Sequence, residues 1–371
     1  MKITLNEFLN KKAMYYDKID YTTIINAWNQ LKTHISLPYV IHLVGTNGKG
    51  STGRFLAHYL FKKNYKTLHY SSPHIMKFNE RIWINGADVC DEVLEQTHEK
   101  LQILLSQNVI DKLTYFEYTT LLSFYLSSNF DYLVLEAGLG GEFDATNVIE
   151  NNLSLITTID FDHQNFLGNT IQEIASTKLR SCNNKMIINK QLHKEVYEIA
   201  SSYDCIKVED FDLKCLDFLP TYLLQNLKLS LTALKYLKID IDLKLLEDVK
   251  LFGRCQKIKE NITIDVGHNP LAALVIKNEF ESKKEKISLV YNCFEDKDYK
   301  KVLEILKPII NEVLIIEVED NRIVQKNALL EVCENLDLPN SDFINISPSK
   351  NYLVFGSFSV VEEFLKVYIE R

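Results

Sequence analysis

The chain is poor in glycine, yet seven of its twelve glycines fall in two short stretches, at 45, 48, 50 and 53 and at 138, 140 and 141. Glycine weakens the interiors of helices and strands, so such clustering calls for a local cause: a sharp turn, or backbone lying against a ligand. The first cluster sits between Tyr39 to Val44 (YVIHLV), a short β-rich run, and Gly50 to Lys63, where Phe55, Leu56, Tyr59 and Leu60 recur at helical spacing. That order, strand then glycine turn then helix, sets the class of fold before any other residue is read.

The rest of the first half repeats the alternation. Strands are expected at Lys66 to Tyr70, at Arg81 to Ile84 before an Asn85-Gly86 turn, and at Asp131 to Glu136 and Leu153 to Thr158. Helical patterns lie at Asp91 to Gln107 and Tyr115 to Ser127, then at Thr221 to Leu237 and Asp242 to Lys250. From Asn261 the alternation restarts, with strands at 262 to 265, 287 to 292, 312 to 318 and 352 to 356 and helices from Pro270, at 298 to 307, 325 to 335 and 358 to 369. The expectation is an α/β protein: a P-loop-type, mostly parallel sheet domain over 1–252 and a smaller Rossmann-like α/β domain over 253–371, hinged near Leu251 to Lys257. No internal repeat is visible.

Composition narrows the classes of function. With 42 Lys plus Arg against 50 Asp plus Glu the net charge is -8, which gives no global positive field for nucleic acid or an anionic membrane. The cluster Lys283, Lys284 and Lys286 alternates with glutamates and reads as a solvated helix face. No apolar run approaches the ~18 residues of a membrane-spanning helix, and the first residues lack the pattern of a secretory signal, so a cytoplasmic protein is expected. The seven cysteines, at 90, 182, 205, 215, 255, 293 and 333, have no zinc-knuckle or redox-pair spacing. Free thiols are expected.

The sharpest chemical signal is Gly45-Thr46-Asn47-Gly48-Lys49-Gly50-Ser51-Thr52. Amides of such a turn, the positive end of the helix that follows and a lysine can together surround the β- and γ-phosphates of a nucleotide. It is a variant loop: the literal pattern needs glycine where Leu43 stands and a hydroxyl residue directly after Lys49, where Gly50 stands. In DYLVLEAGLGG an apolar strand ends on Glu136 just before the second glycine cluster. Ligands of open parallel sheets gather at the carboxyl ends of strands, so this acid is placed to hold Mg2+ beside the phosphates. Ile159-Asp160-Phe161-Asp162-His163, Tyr70-Ser71-Ser72-Pro73-His74 and Asp265-Val266-Gly267-His268-Asn269-Pro270 also fall at strand-to-helix transitions. Alone, a strand-end acid is more often a cap and a single histidine more often structural; five such sites in one chain point to a shared cleft.

In order along the chain, GTNGKGST, YSSPHIMKFNERIWING, LTYFEYTT, LEAGLGGEFDATNV, DHQNFLG, FGR and DVGHNP resemble the folylpolyglutamate synthase and dihydrofolate synthase family of the Mur ligase superfamily. The resemblance runs from residue 45 to residue 270, with later hints in EDKD and VFGS. It implies ATP binding by Thr46, Asn47, Gly48, Lys49, Gly50 and Ser51, with Asn226, Arg254, Asp265 and His268 contributing from the later helix and the second domain. It implies magnesium, at two sites, with Ser72, Glu136 and His163 as direct ligands. Lys49, Glu136, His163 and Lys178 would form the catalytic set, Lys178 matching a lysine that is carbamylated. Thr114, Tyr115, Phe116 and Glu117, with Phe143, Asp144 and Ala145, match a pocket for the pterin substrate.

The implied reaction joins L-glutamate to dihydropteroate through an acyl phosphate and extends reduced folates by further glutamates. Two alternatives stand beside it: extension of folates only, or a nucleotide-binding regulator without catalysis. The implied partners are ATP, L-glutamate, dihydropteroate and folates, for a monomer. Departures from the family pattern occur in three places: Glu142 stands in place of an arginine, Leu179-Arg180 in place of a small pair, and Phe252 in place of a proline.

Overall fold

In the computed structural model, residues 3–13, 20–283 and 286–369 are described. Lys284 of the basic cluster lies outside them. The chain folds as two units, one of Met1–Asp217 with Leu223–Val249, the other of Phe218–Tyr222 with Lys250–Arg371.

The first unit is built on an eight-stranded sheet: β1 (Tyr39–Val44), β2 (Thr67–Tyr70), β3 (Ile82–Ile84), β4 (Ala87–Asp88), β5 (Tyr132–Glu136), β6 (Leu153–Ile156), β7 (Lys185–Ile188) and β8 (Cys205–Lys207), in the order β4-β3-β2-β5-β1-β6-β7-β8. All neighbours are parallel except β2 with β3 and β3 with β4. β1 is buried along five of its six residues, as a strand covered on both faces must be, which is why YVIHLV reads as a continuous run and not as an alternation. Helices Lys49–Lys62 and Tyr115–Leu126 bury apolar residues, the latter fixed at its start by a capping box between Thr114 and Glu117.

The second unit holds a six-stranded sheet: β9 (Gln256–Lys259), β10 (Ile262–Asp265), β11 (Ile287–Tyr291), β12 (Ile310–Ile315), β13 (Asn340–Asp342) and β14 (Tyr352–Phe355), in the order β13-β12-β11-β14-β10-β9, with only β9 antiparallel. Its core is Leu289, Tyr291, Leu353 and Phe355 of the strands against Ala273, Ile276, Leu303 and Leu329 of the helices. The protein is therefore α/β with two mixed, mostly parallel sheets. No helix among the described residues is long and apolar enough to cross a membrane.

Two expected helices differ. Asp242 to Lys250 forms only a single 3-10 turn, Leu243–Leu246. There the Leu245 carbonyl is bonded by the His58 ring at 3.1 Å and the Val249 amide donates to the Leu246 carbonyl at 3.3 Å, so the bond an α-helix would make from Val249 to Leu245 is replaced. The pattern at Asp91 to Gln107 stops at Leu104, where Leu105 and Ser106 are extended and Ser106 exchanges hydrogen bonds with Gln30.

Candidate active site

The order β2-β5-β1-β6 brings four carboxyl ends side by side, and each leads into a segment singled out above. Register makes this concrete: Leu43 of β1 is opposite Glu136 of β5, and Val44 is opposite Ile156 of β6. The turn after β1 is clamped to the segment after β6. Thr46 and Asn47 donate their amides to the Thr158 carbonyl, at 2.9 and 3.3 Å, and the Thr46 hydroxyl bonds the Asp160 backbone. Gly45 lies so close to Thr157 that a Cβ would come 2.0 Å from its hydroxyl oxygen. Gly48, at φ +92°, caps the helix Lys49–Lys62 from the left-handed region, and a Cβ there would meet the Asn226 amide at 2.6 Å.

The helix carrying Asn226, Thr221–Tyr236, braces this turn. Asn226 donates to the Ser51 hydroxyl at 3.4 Å, and Ser230 donates to the Thr52 carbonyl at 2.9 Å. Lys49 folds back over its own turn, donating to the Gly45 and Thr46 carbonyls at 3.1 and 3.2 Å. The result is a half-buried run, Thr46 to Gly50, at the amino end of a 14-residue helix, with a cation over it.

Lys178 reaches the same carbonyl. From the helix Ile171–Leu179 it donates to Gly45 O at 3.0 Å while only 4% exposed. Two lysine nitrogens thus share one oxygen. Burial, reinforced by the nearby charge of Lys49 and opposed by Asp162 and Asp144, pushes the Lys178 amine down to about 7.

Glu136, 6% exposed, accepts the Ser72 amide at 3.3 Å, so the ends of β5 and β2 meet at these two residues. A carboxylate and a hydroxyl are hard oxygen donors of the kind Mg2+ takes. His163 stands on the neighbouring segment after β6 at φ +49°, its Nε2 3.8 Å from Asp162. Among the described residues no three His, Cys, Asp or Glu side chains gather into a metal-holding group.

The residues matched to a substrate pocket fall around the helix Tyr115–Leu126. Thr114 and the buried Glu117 serve its capping box. Phe116 packs where a Cβ on Gly138 would be 2.6 Å from its ring, and the Arg81 guanidinium lies 5.0 Å from the centroid of the Tyr115 ring. Asp144 accepts the amides of Leu139 and Thr146 and the Thr146 hydroxyl, at 2.7, 3.0 and 2.6 Å, so its carboxylate holds the glycine loop in shape. His42 bonds that hydroxyl at 2.8 Å; burial lowers its pKa to about 4 and keeps it neutral. Ala145 is buried, while Phe143 is 52% exposed and meets the Tyr21 ring edge-on.

In the second unit Asp265 is buried and accepts from the Tyr222 hydroxyl at 2.9 Å and from the amides of Cys255 and Gly267, both at 2.7 Å. Burial pushes its carboxyl up, against the pull of Arg254. Arg254 lies over the Phe358 ring and His268 contacts the Val266 carbonyl at 3.2 Å. Tyr222 was not singled out from the sequence, nor were Arg81, Gln191 and His193. Gln191 ties Ile159 to Thr157 and Asn189, and His193 bonds Asp160 at 2.9 Å. None of these four carries a signal without the structure, because each acts on a segment distant in sequence.

No protein-family model matches the chain. A dihydrofolate synthase/folylpolyglutamate synthase of Haemophilus influenzae is 32% identical over 393 aligned positions, covering 89% of each chain. The chain belongs to the dihydrofolate synthase/folylpolyglutamate synthase family. It is an ATP-dependent ligase of that family. The crystal structure of Helicobacter pylori folylpolyglutamate synthetase superposes with a TM-score of 0.78 at 39% identity, over 99% of this chain and 98% of that one. Escherichia coli FolC in complex with DHPP and ADP superposes with a TM-score of 0.85 at 23% identity, over 98% and 96%. The latter likeness is one of fold.

Proposed function

We propose that this ligase joins L-glutamate to dihydropteroate and adds further glutamates to reduced folates. The observation that carries the reading is the meeting of the phosphate-type turn after β1 with Glu136 at the end of β5, in adjacent, parallel strands. A carboxylate does not condense with an amine at neutral pH. The acceptor's carboxylate oxygen therefore attacks the γ-phosphorus of ATP, ADP leaves, and the acyl phosphate is then attacked at its carbonyl by the amino group of glutamate, releasing phosphate and a proton. Lys49 offsets charge on the transferred phosphoryl group, and the turn amides fix its position. Ser72, Glu136 and His163 would hold Mg2+, which when bound neutralises phosphate charge.

Lys178 has a role available to it that an ordinary lysine lacks. With its amine pushed down to about 7, a large fraction is neutral at physiological pH and can add to CO2, forming an N–C bond and releasing a proton. The resulting carbamate is an anion suited to a second Mg2+. Carbon-13 NMR under labelled CO2 is expected to show one carbamate signal that disappears in Lys178→Met; a signal of equal size in the variant rejects the assignment.

Phosphate release with MgATP should require both a pterin carboxylate and L-glutamate. Release with tetrahydrofolate but not with dihydropteroate would favour extension alone, a reading supported by the name of the Helicobacter pylori relative, folylpolyglutamate synthetase. Nucleotide binding without turnover under any acceptor pair would support the regulator instead.

A further inference from the structure

Two of the three departures from the family pattern meet in space. Glu142, in the loop after β5, and Arg180, at the end of the helix that carries Lys178, form an ion pair with Nε 2.5 Å from Oε2. Glu142 is bound to that helix a second time, its amide donating to the Thr177 carbonyl at 2.9 Å, while its own carbonyl accepts from Asn147 at 3.0 Å. Directly before it, Gly141 passes so near the helix that a Cβ would be 2.7 Å from the Lys178 carbonyl. Directly after it come the exposed Phe143 and the loop-holding Asp144. One residue thus links the loop's fold, the helix end and the exposed aromatic.

We propose that Glu142 and Arg180 are paired positioning residues that hold the loop Phe143 to Ala145 in register with the Lys178 helix and so set the affinity for the acceptor. The proposal rests on the reading of that loop as part of the acceptor pocket. The pair is not a pillar of the fold: Arg180 is 48% and Glu142 26% exposed, and ion pairs so placed contribute little to stability. Its geometry matters more than its energy. Because the loop is anchored on both sides of Glu142, a like charge opposite Arg180 displaces Phe143 without unfolding the sheet beneath.

The test is a charge swap read by steady-state kinetics. Glu142→Arg and Arg180→Glu, each alone, are expected to raise KM for the pterin acceptor about tenfold, and the double swap to recover most of it. KM for ATP should stay level, and Tm should move by no more than about 4 °C. Glu142→Gln, which keeps the shape and removes the charge, should give an intermediate acceptor KM; it serves if a reversal fails to fold. Phe143→Ala separates the proposal from its premise. If that change raises acceptor KM while the single reversals do not, or the swap does not recover, the pairing is overturned and the pocket stands. If Phe143→Ala and the reversals all leave acceptor KM unchanged, the reading of the loop fails with it.

Discussion

At the scale of single residues, two lysines of the candidate site are drawn to one carbonyl oxygen. Lys49 lies on a half-buried turn and bonds only backbone there, so Lys49→Ala should lower kcat by about 10²–10³ with little change in Tm, checked by phosphate release and thermal melting. Unchanged turnover would remove it from the mechanism. Lys178 is different because it is buried. Its amine titrates near 7 when folded and at its ordinary 10.5 when unfolded, so between those values the unfolded chain binds more protons and stability rises with pH. The burden of the charged amine is full below pH 7. In CO2-free buffer, denaturation of the wild type should therefore show stability climbing from pH 7 to 9 more steeply than in Lys178→Met; equal slopes would contradict the assignment of a depressed amine. Glu136 and Glu142 show how unevenly residues announce themselves. Glu136 was legible because it closes an apolar strand just before the second glycine cluster, in a chain that also carries a phosphate-type loop, whereas the partner of Glu142 lies 38 positions away and only the fold brings Arg180 to it.

At the scale of elements, what the sequence made legible was whatever is set locally. The glycine turn between β1 and the helix Lys49–Lys62 is such a case, since Gly48 at φ +92° needs no distant contact to be understood. β8, β9 and β13 were not legible: CIK, QKIK and NSD are short and half-buried or exposed, and they are strands because a neighbour offers them a ladder. The missing helix after Asp242 has the same origin, with His58 taking up the Leu245 carbonyl. Thr114 and Glu117, expected in the substrate pocket, stand in the structure as the capping box of the helix Tyr115–Leu126. Gly45→Ala would drive a methyl into Thr157 and strain the clamp to β6, so it should lose about 1–3 kcal/mol in urea unfolding and weaken ATP binding in calorimetry. Wild-type values for both would mean the clamp does not shape the turn.

At the scale of the whole molecule, two sheets with separate cores are written into one chain, and the second begins in sequence shortly after the first has received its last helix. The boundary expected after residue 252 lies three residues beyond the division between Val249 and Lys250, and Phe252 beside it is 41% exposed. Brief chymotrypsin digestion should cut first at Phe252 and leave two resistant fragments; a first cut inside either sheet would move the boundary. In the first sheet, β1 has β5 on one side and β6 on the other, so the chain departs from a central strand into a turn flanked by two further strand ends. A ligand held there can meet an acid and a helix terminus at once, and phosphoryl transfer requires little more than such positioning and charge. The most direct test is a crystal soaked with a non-hydrolysable ATP analogue and Mn2+, with the ion located by anomalous scattering. The account predicts γ-phosphate oxygens on the amides of Gly48 to Ser51 and the ion between that phosphate and the Glu136 carboxylate. Phosphates bound elsewhere, or an ion whose shell excludes Glu136, would contradict it.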